Sequence, residues 1–548
     1  MPTFCNPLNL DYQFVVPDRH DAHNREAADP SVVRYRGRYW LFASKSGGYW
    51  HSDDLRNWTH VPTAVLPAED YAPDVRVIDD WLVFTASRRG DTCPIYRTRQ
   101  PEADTWEKVA EELEYWDPNL FQDADGRVYL YYGCSDQAPI YGVELDRHTF
   151  APLGEPQALL PAEPEAYGFE RFGENNTAAD PPWIEGAWVT PHAGRYYLQY
   201  AVPGTDFNVY CDAVAVGEAP LGPFVRQASN PFSFKPGGFL TGAGHGSTFA
   251  DPAGDLWHVS TMRLSVQHIF ERRLGLWPAG FDDDGVLLAN TRFGDYPHRL
   301  PDGARDGRAG TFTGWMLLSL AKPATASVSV EGAGPEYAFD EDGRTAWVAP
   351  DRQTGHWLAV DLGAEARLRA VQINFAERDC DHRGPARPAG HRYRLEGSRD
   401  GQSWFDLADK RDNDRDVPHD YVELPHPTAA RHVRLTIHRT AGGGRPAVSG
   451  LRVFGHGSGP APKPAEGLTV HRHAEDPCVA ELNWKLPPRA HGVHVLWGTG
   501  PEKLYNAWLV YGRESLTMRC LAAGQNYHFA VEAFGEGGVA ALSPTIEA

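Results

Sequence analysis

Sulfur and positive charge are what this chain has least of. It holds four methionines and seven cysteines in 548 residues, and 52 basic residues against 73 acidic ones. The cysteines (Cys5, Cys93, Cys134, Cys211, Cys380, Cys478, Cys520) are odd in number, scattered and without C-x-x-C spacing. They read as buried free thiols of a reducing compartment rather than a disulfide framework or a thiolate metal site. A net charge of −21 argues against nucleic acid or an anionic membrane face as partner. No apolar run approaches the roughly 18 residues a transmembrane helix needs. The opening MPTFCNPLNLDYQFVV lacks a basic start followed by an apolar core, so no secretory signal is read and a cytoplasmic location is expected.

Aromatic residues and glycine turns are what the chain has in plenty, with 17 Trp, 23 Tyr, 24 Phe and 54 Gly. They are arranged in a phrase that recurs five times: a polar cluster, an apolar strand, a Gly or Asp turn and an aromatic strand. The copies are ADPSVVRYRGRYWLFAS (28–44), YAPDVRVIDDWLVFTAS (71–87), YWDPNLFQDADGRVYLYYG (115–133), WIEGAWVTPHAGRYYLQYA (183–201) and GHGSTFADPAGDLWHVSTM (244–262). Each opens with a residue able to carry charge: Asp29, Asp74, Asp117, Glu185 and His245. The openings are 45, 43, 68 and 60 residues apart, close to the length of a four-stranded propeller blade. The apolar and aromatic residues of RYWLFAS and RVYLYYG alternate, as strands require, and RGR, DADGR and HAGR are hairpin turns. An all-β fold headed by a five-bladed β-propeller is predicted, with the five openings converging on one axial pocket. The longest interval carries an insertion at about 150–182, expected to fold over the mouth of that pocket.

Three of the openings supply glycosidase chemistry. Cleaving a glycosidic bond takes one ionised carboxylate, to activate water or attack directly, and one protonated carboxyl, to donate to the leaving oxygen. A third carboxylate nearby can hold the acid protonated by like-charge repulsion. Asp29, Asp117 and Glu185 are the candidates, and Gly186 is expected to leave room for a sugar beside Glu185. Asp74 has equal claim by repeat position but is taken as structural. Asp123 and Asp125 are hairpin-turn residues. Trp50, Tyr71, Trp116 and Trp183 can line the pocket or pack between blades. Glu163, Glu165, Glu170 and Glu174 lie in the insertion and stand second to Glu185 as acid, Glu170 first among them.

ADPSVV, YAPDV, WDPNLFQDADGRVYLYYG and IEGAW, in that order, resemble glycoside hydrolase family 43 over about residues 5–300. The resemblance implies an inverting hydrolase with Asp29 as general base, Asp117 as pKa modulator and orienter, and Glu185 as general acid. It implies that His245 lies near the axis, on a calcium ion directly or through water, and that Arg263 reaches the substrate. Tyr71 stands where the family often has Trp. An exo-acting enzyme removing a terminal pentose or furanose is expected: α-L-arabinofuranosidase first, then β-xylosidase or β-galactofuranosidase. An endo-arabinanase is disfavoured, because the insertion would close one end of an open groove. A non-catalytic sugar-binding propeller is the reading from another class. The partner expected is an oligosaccharide; no organic cofactor is expected, and oligomeric state is not read.

After about residue 305 the phrase stops. AFDEDGRTAWVAP (338–350), GHWLAVDLG (355–363) and YRLEGSRDGQSWFDLA (393–408) resemble the discoidin, or factor V/VIII C-type, β-sandwich, which includes carbohydrate-binding modules. That resemblance implies a structural calcium near Asp340, Asp342 and Thr345. GHGSGPAPKPAEG reads as a linker. Beyond it, Leu521 six residues before Tyr527 is similar to the tyrosine-corner strand of a fibronectin type III domain. The predicted division is 1–305 propeller, 310–457 discoidin-like sandwich, 458–466 linker and 467–548 fibronectin-like packing module.

Overall fold

The computed structural model describes all residues except 15–23, 68–70, 89, 112, 265, 302, 304, 381 and 383–388. Among the described residues there is no α-helix, only strands and six short 3-10 turns, and no helix is long and apolar enough to cross a membrane. All seven cysteines are free thiols, six of them buried and Cys134 half-buried.

Residues 28–289 form five antiparallel sheets in chain order, each of four strands except the fourth, to which Ser233–Phe234 adds a fifth. The innermost strands are Ala28–Tyr35, Asp74–Ile78, Asn119–Gln122, Glu185–His192 and Thr241–Ala250. Each touches the next, and the fifth touches the first, so blades 1 to 5 close into a ring. Closure leaves only short inner edges, protected around the axis, the general advantage of a radial β architecture.

One side-chain position per blade ties the ring together. Ser31 Oγ accepts the N–H of Val75 at 2.9 Å and donates to its carbonyl, linking blades 1 and 2. Asp74 accepts from the Leu120 N–H (2.7 Å) and Asn119 Nδ2 (3.0 Å), linking blades 2 and 3. Asn119 Oδ1 accepts from Val189 N–H, Trp188 Nε1 donates to the Thr248 carbonyl, and Ser247 Oγ accepts from Val32 N–H. These bonds satisfy backbone groups at strand starts that no ladder reaches. Asp74 is therefore structural, as expected, and burial pushes its carboxyl up to about 6. Asp123 and Asp125 sit in the Gln122–Val128 hairpin turn, where Asp125 accepts from the Arg127 N–H.

Residues 316–456 form a sandwich built on two long bent strands, His356–Phe375 and His419–Arg439, around a core that includes Trp347, Leu358, Tyr393 and Leu435. The last unit pairs a sheet of Glu466–Arg472, Ala480–Lys485 and Ser515–Met518 with a second built on Gly492–Gly498, Asn506–Tyr511 and His528–Gly535. The Tyr527 hydroxyl accepts from the Ala522 N–H at 3.2 Å, the local contact of a tyrosine corner. The presumed linker is not slack: Gly457 N–H donates to the Glu536 carbonyl, fastening it to the last unit.

Neither C-terminal unit stands off from the propeller. The last unit shares one apolar cluster with blades 3 and 4, in which Phe234 meets Trp497 and Trp508 edge-on. The second unit is held by Arg25, whose guanidinium is buried between Glu377 (2.7 Å) and Asp416 (2.8 Å).

Candidate active site at the propeller axis

A left-handed residue stands at the mouth end of each innermost strand: Asp29 (φ 52°), Ala72 (52°), Asp117 (50°), Gly186 (64°) and His245 (45°). Asp29, Gly186 and His245 lie at register shifts of their ladders, so these are bulges that re-aim a side chain toward the axis. Left-handed backbone outside glycine is uncommon, tolerated best by Asp, Asn and His, and gathers at functional sites. A hydroxyl from an adjoining strand or loop receives several of the strained N–H groups: Thr261 for Asp29 (2.7 Å), Ser44 for Ala72 (2.7 Å) and Ser87 for Asp117 (2.9 Å).

This pattern corrects the alignment of the repeats. Asp29, Ala72 and Asp117 each precede a proline and occupy equivalent places, whereas Asp74 is equivalent to Ser31 and Asn119, two residues further along. Blade 2 therefore presents a methyl group at the mouth, where its neighbours present carboxylates. Glu185 lies one residue before the equivalent place, which Gly186 fills. The space beside Gly186 is not left for a sugar: a Cβ there would come within 2.8–3.1 Å of the His245 ring, so the glycine admits the histidine.

His245 stands between the carboxylates, with Nδ1 at 3.5 Å from Asp29 and 3.4 Å from Asp117. Burial alone would lower its pKa, but the surrounding Asp29, Asp117 and Glu185 carboxylates outweigh it and raise it. Asp29 is buried too, which by itself favours the neutral acid. Arg272 at 3.3 Å, His245 and the Ser44 hydroxyl at 2.6 Å reverse that and hold the carboxyl below its ordinary range. Asp117 is the opposite case. Burial, with the charges of Glu185 and Asp29, pushes it up to about 7 against the pull of His245. Glu185 is half-buried; the Tyr210 hydroxyl donates to Oε1 at 2.5 Å and the Cys134 thiol to Oε2 at 3.1 Å. Donor atoms of Asp117, Glu185 and His245 lie within 4.8 Å of one another. On the far side of this group Arg76 spans blades 2 to 4, reaching Asn119 and the Val189 carbonyl and stacking on Trp188 at 3.3 Å.

The remaining expectations divide. Tyr71 is half-buried beside Lys45 and within 5.9 Å of Arg272, which puts it at the mouth, and Trp116 is a half-buried neighbour of Asp117 in the chain. Trp50 does not. Its ring is wholly buried against His60, with Nε1 donating to Asp11 at 2.7 Å, because its strand turns that face into the apolar cluster shared with blade 5. Arg263 is clamped at 3.0 Å by both oxygens of Glu174 and donates to the Asp206 carbonyl, so it anchors the insertion to blade 5. Glu170 is removed as an alternative acid: it is buried among Arg226, Tyr200 and the Glu163 N–H, away from the axis.

Arg272, Tyr210, Cys134, Ser44 and Thr261 went unread in the sequence. They come from second and third strands and from loops, and nothing in ERRLG or NVYCD marks them.

The calcium expected on His245 does not fit direct ligation through Nδ1. That atom serves two carboxylates on an imidazole whose proton is stabilised, and calcium asks for six to eight oxygens. In the second unit Asp340 accepts from Thr345 and the Asp342 N–H, and Asp342 pairs with Arg344, so both carboxylates already have donors.

An ionised carboxylate and a carboxyl raised toward neutrality, gathered at the mouth of a propeller, are the paired groups that a glycoside hydrolase uses. The comparisons give the family: residues 23–287 match the model for glycosyl hydrolases family 43, and residues 323–449 match the F5/8 type C domain. The propeller is a family 43 glycoside hydrolase domain, followed by a discoidin-type domain. The chain is 26% identical over 270 residues to the beta-D-galactofuranosidase xynD of Aspergillus niger, covering 42% of this chain and 72% of that protein. It is 22% identical over 270 residues to an extracellular endo-alpha-(1->5)-L-arabinanase 2 of Bacillus subtilis, covering 41% of this chain and 53% of that one. The solved structure titled Bacteroides ovatus Xyloglucan PUL GH43B is 14% identical, covers 100% of this chain and 98% of its own, and has a TM-score of 0.44.

Proposed function

We propose that this chain is an exo-acting, inverting glycosidase that removes a terminal furanose, an α-L-arabinofuranosyl group first and a β-D-galactofuranosyl group second. The two sugars share ring configuration and differ by one exocyclic carbon, and proteins named for arabinan and for galactofuranose cleavage are both among the relatives. A β-xylosidase is the third reading.

The observation that carries the mechanism is the contrast between Asp29 and Asp117 across His245. Asp29, kept ionised by Arg272, is the base that takes a proton from the attacking water. Burial and the charges of Glu185 and Asp29 keep Asp117 protonated up to about pH 7, so a proton is held within the site that it shares with Glu185. Glu185, the more exposed of the two, hands it to the leaving oxygen, and Tyr210 and Cys134 fix the direction in which it does so. His245 holds Asp29 and Asp117 in one geometry. No step in this reading passes through a metal.

A panel of nitrophenyl furanosides and pyranosides, with proton NMR of the first-formed sugar, tests the reading. Cleavage of the arabinofuranoside with inverted configuration is expected. Retained configuration overturns the role of Asp29, and binding without cleavage of any glycoside leaves the sugar-binding reading in its place.

A further inference from the structure

The discoidin-type domain turns one loop toward the mouth of the propeller, not to open solvent. Gly343 is pressed against blade 5, where a Cβ would come within 2.9 Å of Leu264 and 3.2 Å of the Phe239 carbonyl. Arg452 of the same domain lies over the Phe239 ring at 4.9 Å, and Gly450 packs on its edge. The 340–345 loop is thereby fixed to the propeller.

Beside this contact is a cavity of about 170 Å³ whose walls include Thr241, Arg263, Asp342 and Arg344. Its place relative to the chemistry follows from register. Thr241 pairs with Arg263, and Arg263 with Arg272, the residue that holds Asp29. Thr241 precedes His245 by four residues on the innermost strand, a span that its bulges hold below the roughly 13 Å of a fully extended strand. The cavity is thus on the mouth side of the axis, further out than the carboxylates. The insertion joins the same rim: Glu174 grips Arg263, and its charge acts on Arg344. Arg344 is 56% exposed and Glu174 44% exposed, so both keep donor or acceptor capacity toward solvent. Planar guanidinium and carboxylate groups in fixed pairs suit the vicinal hydroxyls of a sugar.

We propose that this rim, formed by blade 5, the insertion and the 340–345 loop of the discoidin-type domain, is a distal subsite that holds the oligosaccharide beyond the residue being cleaved. Arg344 and Glu174 are its hydroxyl-binding groups. The discoidin-type domain then takes part in substrate selection at the catalytic mouth itself. The proposal rests on the glycosidase reading above.

The test uses the full chain and its Arg344→Ala and Glu174→Gln variants. Calorimetry measures binding of arabino-oligosaccharides from disaccharide to hexasaccharide, and kinetics compares the same ladder with nitrophenyl arabinofuranoside. The expected result is an affinity loss of about tenfold for the longer members, shrinking as the chain shortens, as removal of a hydrogen bond to a charged group implies. KM should follow the same order, least changed for the nitrophenyl substrate. Equal losses at every length, or none at any length, overturn the subsite. Length-dependent binding that requires Arg344, without cleavage of any ladder member by the unaltered chain, upholds the subsite and removes the hydrolase reading instead.

Discussion

Asp29 remains ionised only because Arg272 and His245 outweigh the cost of burying it. Asp29→Ala should lose about 10³-fold in kcat/KM on every substrate, since no leaving group replaces activation of the water. Arg272→Gln is the finer test. Without the guanidinium the Asp29 pKa rises, so the acid limb of kcat/KM against pH should move to higher pH, while an unmoved limb would separate Arg272 from the base. Glu185→Ala should behave differently again. Its loss should be large on oligosaccharides and much smaller on dinitrophenyl glycosides, whose leaving group departs nearly unaided. Equal losses on both would show that Glu185 is not the acid. Glu170 would not inherit the role, being spent on Arg226 and Tyr200.

The element that organises these residues is the left-handed start of each innermost strand. It gives every blade one place pointing at the axis and another, two residues on, pointing at the next blade. Asp29 and Asp74 are both aspartates near a proline in corresponding repeats, yet they occupy different places and do different work. Asp74→Ala leaves the buried Leu120 N–H without its acceptor and should destabilise the chain by about 1–3 kcal/mol, read as a lowered unfolding midpoint, with the catalytic parameters of the folded enzyme kept. A large loss of kcat at unchanged stability would return Asp74 to the catalytic group.

Over the whole molecule, the three units are joined by buried charge as well as by apolar packing. Arg25 of the propeller is clasped by Glu377 and Asp416 of the discoidin-type domain, and His391 adds a bond to Glu377 at 3.0 Å. Arg25→Met would leave Asp416 buried without its guanidinium and Glu377 with His391 alone, and should cost about 3–5 kcal/mol. Burial opposes ionisation of Glu377, but Arg25 and His391 win and lower it to about 2. A depressed carboxyl contributes stability above its unfolded pKa and loses it as pH falls toward the folded one. The interface should therefore weaken between about pH 4.5 and pH 2, and Arg25→Met should flatten that part of the stability profile. An unaltered acid limb of unfolding would show that the cluster does not couple the two units.

Periodicity alone determined much of this protein. The five phrases, their alternating strands and their Gly or Asp hairpins lead directly to five sheets, because strand pattern and turn chemistry are local properties that residues carry with them. The acidic openings led to Asp29, Asp117 and Glu185 because a closed ring must bring strand starts to one axis. What only the tertiary structure decided is which neighbours those openings meet. Asp74 stands two residues past the place that points at the axis, and counting acids rather than prolines hides that offset. Trp50 is an inter-blade residue because the pleat turns its face inward, and whether a strand face meets a pocket or a core depends on the adjoining blade. Arg272, which sets the charge of Asp29, comes from a strand remote in sequence, and Tyr210, which sets the aim of Glu185, from the loop before Cys211–Gly217. The mouth of the site is completed by a loop more than 300 residues from Asp29, brought there by packing of one domain on another. Contacts of that kind follow from closure and docking, and no short stretch of sequence contains them.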